Sequence, residues 1–209
     1  MDRRKFIKAG AAGTVVSSVA IAAKSSPIAT PPETEGPFYP TVAQDDKDFD
    51  LTQIEGHSSA AKGKHIYVQG KVVDMDNNPV AGVTVDIWQC NAAGRYAHPH
   101  DKNPAPLDPD FQGWGIMATD DNGEFNFKTV YPGAYGVNDE WSRPPHIHYK
   151  VSKRGYAELT TQMYFPDEPL NDVDNLILKK SPEERKMMIS TLSRSKADTY
   201  EYTIVLDKV

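Results

Sequence analysis

From Ile66 onward the apolar residues of this chain recur at every second position, and that period constrains the fold more than any other feature. "IYVQGKVV" alternates, "DMDNNPVAG" interrupts with a turn cluster, and "VTVDIWQ" resumes the alternation with Val83, Val85 and Ile87 on one side. Period two sends successive side chains to opposite faces of a strand, so each run offers one face to a core. The pattern returns in "HIHYKVS" at 146–152, in "LTTQMYF" at 159–165 and in the closing "TYEYTIVLD", where Tyr200, Tyr202, Ile204 and Leu206 share a face. The 16 prolines and 14 glycines supply the many turns such strands need. One stretch is helical, "SPEERKMMISTLSR": Ser181 caps, Pro182 suits the first turn, Glu184 completes a capping box, and Met188 and Leu192 lie one turn apart. These signals predict an all-β fold, an antiparallel β-sandwich with long loops and one short C-terminal helix.

A length of 209 residues suits one domain with a sizeable core. Two segments precede its strands. Residues 1–25 have a basic start, a diluted apolar run from Ala9 to Ala23 and small residues around Ala20 to Ala23, the layout of an export signal. Arg3 and Arg4 followed by "KFIK" resemble the twin-arginine signal, so an exported protein, periplasmic or extracellular, is expected. The apolar run is broken by Gly, Ser and Thr, and no stable membrane span is expected after signal removal. Residues 26–64 include the proline-rich "PIATPPETEGPFYP" and read as an extended arm, with residues 65–209 as the sandwich domain. Cleavage after Ala23 would remove Arg3, Arg4, Lys5, Lys8 and Asp2. That takes the balance from 23 basic and 29 acidic side chains to 19 and 28, and the net charge from −6 to −9. Such an acidic balance argues against a nucleic-acid partner. Cys90 is the single cysteine, so the chain cannot form an intramolecular disulfide and must be held by its core or by a metal.

Two segments lack any period. Residues 91–115, "NAAGRYAHPHDKNPAPLDPDFQGWG", carry four prolines and three glycines, and a loop of that length in a compact domain is uncommon unless functional. "YPGAYGVNDEWSRPP", residues 131–145, is the second, and "HIH" follows it directly. In a strand His146 and His148 project from one face with Cα atoms about 6.5–7 Å apart, so their imidazoles can converge on one ion. An isolated pair of this kind more often lies on the solvent face of an edge strand. Imidazole suits Zn, Cu, Ni or Fe, so the remaining ligands decide. A single cysteine and the lack of an HExxH pattern weigh against zinc. Tyr96 in "NAAGRY" and Tyr135 in "YPGAY" bring phenol oxygens from the two irregular segments. A phenol with a pKa of about 10 ligates readily only a strong Lewis acid, and ferric iron is the hard ion of that kind. Taken singly, each tyrosine is more often structural.

Four motifs in order, "WQCNAAGRY", "TVYPGAY", "RPPHIHYKV" and "TQMYF", resemble those of the intradiol ring-cleavage dioxygenases. The similarity is greatest to the iron-bearing (beta) subunit type of protocatechuate 3,4-dioxygenase and covers about residues 31 to 207. The resemblance implies a sandwich with long active-site loops around a mononuclear non-haem Fe(III). Its ligands would be Tyr96, Tyr135, His146 and His148, with Tyr135 and His148 axial, Tyr96 and His146 equatorial, and a hydroxide in the fifth position. It implies cleavage of a catechol-type substrate with O2 to a cis,cis-muconate-type product, Tyr135 and the hydroxide leaving as the diol binds. It places Arg143 against negative charge developing on the ring, and Gln162 and Tyr164 close to the substrate and its oxygen adducts. In "TEGPFYP" it assigns Gly36, Pro37 and Phe38 to the pocket lining. The implied partners are a catecholic small molecule and O2, and a homo-oligomer is compatible with it.

The chain departs from the family in places. Val137 stands where members of the protocatechuate type often carry an aromatic residue, and the segment from Tyr135 to His146 is slightly shortened, which alters the ring pocket and leaves the ligands in place. The long N-terminal helical dimerisation region of catechol 1,2-dioxygenases is missing. His98 and His100 form a second HxH, but Pro99 between them breaks strand geometry, which makes them loop residues near the site. His57 and His65 have no constellation around them, and Cys90 reads as a small buried residue. A rival reading notes that residues 70–88, "GKVVDMDNNPVAGVTVDIW", are also similar to transthyretin-like sandwich modules that bind without chemistry. It leaves Tyr96, Tyr135 and the HIH unexplained.

Overall fold

A computed structural model describes residues 28–42 and 46–209, so the export signal expected at residues 1–25 lies outside the described residues. The strands are β1 (His65–Asp74), β2 (Thr84–Trp88), β3 (Trp114–Ala118), β4 (Glu124–Val130), β5 (Tyr135–Asn138), β6 (Trp141–Arg143), β7 (His146–Ser152), β8 (Leu159–Tyr164), β9 (Thr191–Leu192) and β10 (Thr199–Leu206), with one helix, α1 (Pro182–Met188). They form two four-stranded sheets, ordered β4-β1-β10-β9 and β3-β2-β7-β8, and a separate β5-β6 hairpin. Val68 and Val72 of β1 and Ile204 of β10 meet Val85 and Ile87 of β2 and Ile147, Tyr149 and Val151 of β7 in one buried cluster. Each large side chain buried there stabilises the sandwich by about 1.5–3 kcal/mol. The alternation read from the sequence therefore names the two inner faces correctly. The turn cluster after β1 carries the chain from one sheet to the other, with Asn77 at φ 63° and the Asp74 carboxylate accepting from the Asp76 and Asn78 amides.

Three local expectations are corrected. The expected antiparallel β-sandwich is present, but one strand pair departs from it: β1 and β10 run parallel, from Tyr67 opposite Thr199 to Asp74 opposite Leu206. Alternation specifies faces and not direction, and both strands keep their apolar faces aligned in this register. The segment 131–145 is not irregular throughout, since β5 and β6 pair within it. Strands of four and three residues, with a register shift between Gly136 and Asn138, are too short to show a period. The helix has the expected capping box, Ser181 and Glu184 bonding each other's backbone amides. It nevertheless stops at Met188, because Ser190 bonds the Tyr164 carbonyl through both its amide and its hydroxyl and draws the chain out of helix. Leu192 consequently sits 54% exposed in β9.

The arm is strapped to the sheets by backbone-level bonds. The Thr30 amide donates to Val205 O, the Glu33 amide to Thr160 O, and the Thr161 hydroxyl to Pro31 O. This path brings Gly36, at φ +73°, close enough to the His148 ring that an added Cβ would lie 3.4 Å from its Cε1. The loops that carry Tyr96 and Tyr135 bear directly on each other. A Cβ on Gly94 would sit 2.5 Å from Ala134 O, and one on Gly133 would overlap the Gly94 amide nitrogen. Gly94 also has φ +82°, where a side chain is strained. Gly94→Ala is therefore expected to lower stability by about 2–4 kcal/mol, combining backbone strain with overpacking. A urea unfolding curve shifted to a lower midpoint with unchanged slope is the result that checks it.

Candidate metal centre

The HIH strand is no edge. β7 pairs with β2 on one side and β8 on the other, with His148 opposite both Trp88 and Gln162 and His146 opposite Tyr164. His146 and His148 are 1% and 3% exposed on the face turned away from Ile147 and Tyr149. The Trp88 indole stacks on His148 at 4.8 Å and 9° between planes. His146 Nδ1 lies 2.6 Å from Pro144 O, and a carbonyl only accepts, so that nitrogen carries the proton and Nε2 presents a lone pair. The two Nε2 atoms face each other at 3.2 Å, and the Tyr96 hydroxyl lies 3.1 Å from that of His148 and 3.4 Å from that of His146. The Tyr135 ring stands 5.8 Å from the Tyr96 ring and 5.8 Å from the His146 ring. Three of the four expected ligands thus bring polar atoms to one point, and the Tyr135 ring stands beside them.

Local chemistry explains how the loops hold that geometry. The Asn91 side chain accepts from the Ala93 and Arg95 amides and closes the turn before Tyr96. Asp101 accepts from the Tyr96 amide at 2.7 Å and from the Asn103 amide at 2.8 Å. Cys90 is buried as expected, its thiol donating to Gly133 O in the other loop and pushed up to about 12 by burial, which makes it inert.

Burial also sets the protonation of the centre. It pushes the Tyr96 phenol well above its ordinary value and Tyr135 up to about 12. Burial, followed by the nearby Arg143 charge, drives His146 well below the usual imidazole range and His148 down to about 3. Both histidines are therefore neutral at ordinary pH and need lose no proton to bind a metal. Two imidazoles at about 2.0–2.1 Å from a first-row metal, at right angles, stand about 3 Å apart, as these do. Among the described residues no cluster of three or more His, Cys, Asp or Glu side chains could hold a metal, so an ion here must take tyrosine oxygen. The donor set fits a hard, strongly Lewis-acidic cation.

Beside these four residues lies a buried polar network. Arg143 donates to the Gln162 carbonyl oxygen and to the Tyr164 hydroxyl, the latter at 3.1 Å. Its Nε lies 3.1 Å from Asp174 Oδ1, an ion pair by distance that lacks the alignment of a hydrogen bond. Asp174 is fully buried and also accepts from the Trp141 indole, the Tyr164 hydroxyl and the Ile177 amide. Gln162 further donates to Thr34 O of the arm at 2.9 Å.

A cleft of about 800 Å3 opens above, with Tyr135, Arg143, Val137, Gly36, Pro37 and Phe38 in its walls. All the pocket residues expected from the sequence lie there. Gln162 and Tyr164 do not; they pack behind Arg143, held by the network rather than facing the cleft. Of the four residues Tyr135 lines the cleft, whereas Tyr96, His146 and His148 are almost wholly buried, Tyr96 bordering a separate cavity with Phe38 and Trp88. His98 stacks loosely on Phe38 and His100, and neither loop histidine bonds the HIH pair. His57 pairs with Asp110 at 2.9 Å, and His65 bonds Ala61 O. The sequence reading missed Trp88, Trp141 and Asp174 as parts of the site. Trp88 had a legible signal, since it ends a strand and opens the motif "WQCNAAGRY".

Comparisons with known proteins agree with this geometry. Residues 34–208 match the family described as Dioxygenase. The chain is 39% identical over 167 residues to the protocatechuate 3,4-dioxygenase beta chain of Burkholderia cepacia, covering 76% of this chain and 71% of that one. It is 33% identical over 121 residues to the hydroxyquinol 1,2-dioxygenase of Rhizobium sp. (strain MTP-10005), covering 52% of this chain but only 40% of that one. Its fold superposes on the 3-chlorocatechol 1,2-dioxygenase of Rhodococcus opacus 1CP with a TM-score of 0.68 at 26% identity, covering 87% of this chain and 74% of that one.

The network predicts a graded response at its centre. Asp174→Ala strands a buried guanidinium and is expected to cost about 3–5 kcal/mol, whereas Asp174→Asn keeps an acceptor for Trp141 and costs less. Chemical denaturation of the two variants measures the difference.

Proposed function

Because the chain belongs to the intradiol ring-cleavage dioxygenases, we propose that it is a non-haem Fe(III)-dependent enzyme that opens a catechol-type diol with O2 to a cis,cis-muconate-type product. The observation that carries this reading is the convergence of two imidazole nitrogens and a phenol oxygen within 3.4 Å of one another, with Tyr135 as a fourth donor open to the cleft. Tyr96, Tyr135, His146 and His148 would hold the iron. Bound there, Fe(III) supplies the Lewis acidity by which phenols and a catechol lose their protons at neutral pH.

The remaining work falls to the chain's own residues. His146 and His148 enter as neutral ligands, and the Pro144 carbonyl fixes the His146 tautomer. Tyr135 faces the cleft, and burial pushes its phenol up to about 12, so its oxygen readily takes back a proton on release. That makes Tyr135 the residue to accept a proton from the entering diol. Arg143 presents a fixed positive charge to the cleft, and Asp174, Gln162 and Tyr164 hold it in place. A charge pre-oriented in a water-poor site stabilises negative charge developing on the ring. The Arg3-Arg4 leader supports delivery of the folded protein to the periplasm or beyond by the twin-arginine route.

Iron-loaded protein is expected to be coloured by a phenolate-to-iron charge-transfer band and to consume O2 with catechols. Tyr96→Phe and His146→Ala should bleach the band and abolish uptake, and His98→Ala should do neither. A preparation that stays colourless when iron is supplied overturns the reading. Replacing Arg3 and Arg4 together with Lys is expected to retain the protein inside the cell, measured by fractionation.

A further inference from the structure

The cleft over Tyr135 is large for the molecule the chemistry alone requires. Clefts of about 300–1,000 Å3 enclose drug-sized ligands, and this one holds about 800 Å3. A bare catechol, one ring and two hydroxyls, would leave most of that space to water. One wall is apolar: Val137 of β5 stands 48% exposed, and Trp141 and Leu176 line the same space. The long loop also contributes to the lining, with His100, Asp101 and Lys102 among its residues.

Lys102 is exposed, and its ammonium makes one hydrogen bond, to Pro99 O at 3.1 Å, with no ion pair among the described residues. An ammonium has three donors, so capacity remains for an anion. The neighbouring Asp101 carboxylate accepts from the Tyr96 and Asn103 amides and forms no ion pair with the Lys102 ammonium among the described residues. The other cation in the wall, Arg143, is buried and paired across its hairpin with Tyr135, so it belongs to the ring end, whereas Lys102 is exposed. The cleft thus brings together Tyr135 and Arg143, the apolar surface of Val137, Trp141 and Leu176, and an exposed ammonium that has no ion-pair partner among the described residues.

We infer that the substrate is a catechol whose ring bears an extended apolar chain ending in an anionic group. The ring would sit at Tyr135 and Arg143, the chain along Val137, Trp141 and Leu176, and the anion at Lys102. This inference rests on the ring-cleavage reading above and adds the substrate class to it.

The test is anaerobic calorimetric titration of iron-loaded protein with three probes: catechol, 4-propylcatechol and 3,4-dihydroxycinnamate. Burying two further carbons predicts that both extended probes bind at least about tenfold tighter than catechol. A solvent-screened charge pair adds about threefold for the cinnamate over the neutral propyl compound. Lys102→Gln should remove that last factor, and Val137→Trp should shrink the advantage of both extended probes. Catechol binding as tightly as either of them overturns the inference, and so does a cinnamate advantage that survives both variants. O2 uptake with the same probes separates the two readings. If none is consumed, the ring-cleavage reading fails while the order of affinities still tests the cleft.

Discussion

Strand β7 is fixed on four sides, and the placement of everything at the centre follows from that. Its two edges are hydrogen-bonded to β2 and β8, and Ile147, Tyr149 and Val151 are locked into the core on its inner face. A slip of one residue would drive both imidazoles into the hydrophobic core and expose three large apolar side chains, so the register is strongly specified. His146 and His148 therefore inherit their positions from the core rather than from loops. The cross-strand neighbour of His148, Trp88, then sets the angle of that ring by stacking on it.

Burying two imidazoles, two phenols and a guanidinium in one place is costly unless each polar atom finds a partner. Most do: Pro144 O serves His146, Asp174 and Gln162 serve Arg143, and Asp101 serves the Tyr96 backbone. The exceptions cluster at the centre, where His148 Nδ1 and Trp88 Nε1 are buried without a partner and two Nε2 atoms confront each other. A cation between those nitrogens turns the confrontation into two favourable contacts. Metal binding to such a site contributes directly to folding free energy. A chain with a single cysteine has no disulfide to do that work.

How much of this was legible in the sequence depended on the kind of signal. The inner faces and the pairing of His146 with His148 on one side follow from period two alone, and four ordered motifs located Tyr96 and Tyr135 beside them. Direction and short elements did not show. Nothing in "IYVQGKVV" says that its parallel partner lies more than a hundred residues on, and β5 is too short to carry a period. Asp174 was invisible for another reason. It sits in "NDVDNLILKK" among 3-10 turns, one of 29 acidic residues, and its importance arises only because the fold brings Arg143 and Trp141 to it. Leu192 failed oppositely: the helical spacing was real, but the tertiary bonds of Ser190 to Tyr164 overrode it.

The β5-β6 hairpin joins the two halves of the site. Tyr135 and Arg143 are direct cross-strand partners in it, so the tyrosine and the cation that line the cleft share a single small element. At its base the hairpin is held by Gly133 against the Tyr96 loop, and at its far strand by Asp174, which is bonded to both Trp141 and Arg143. Tyr96, His146 and His148 are almost wholly buried, while Tyr135 sits where the hairpin meets open space. An element pinned at both ends in this way fixes where its two cleft-lining side chains start, because Tyr135 and Arg143 sit opposite each other on strands of four and three residues whose backbone pairing leaves only side-chain rotation free.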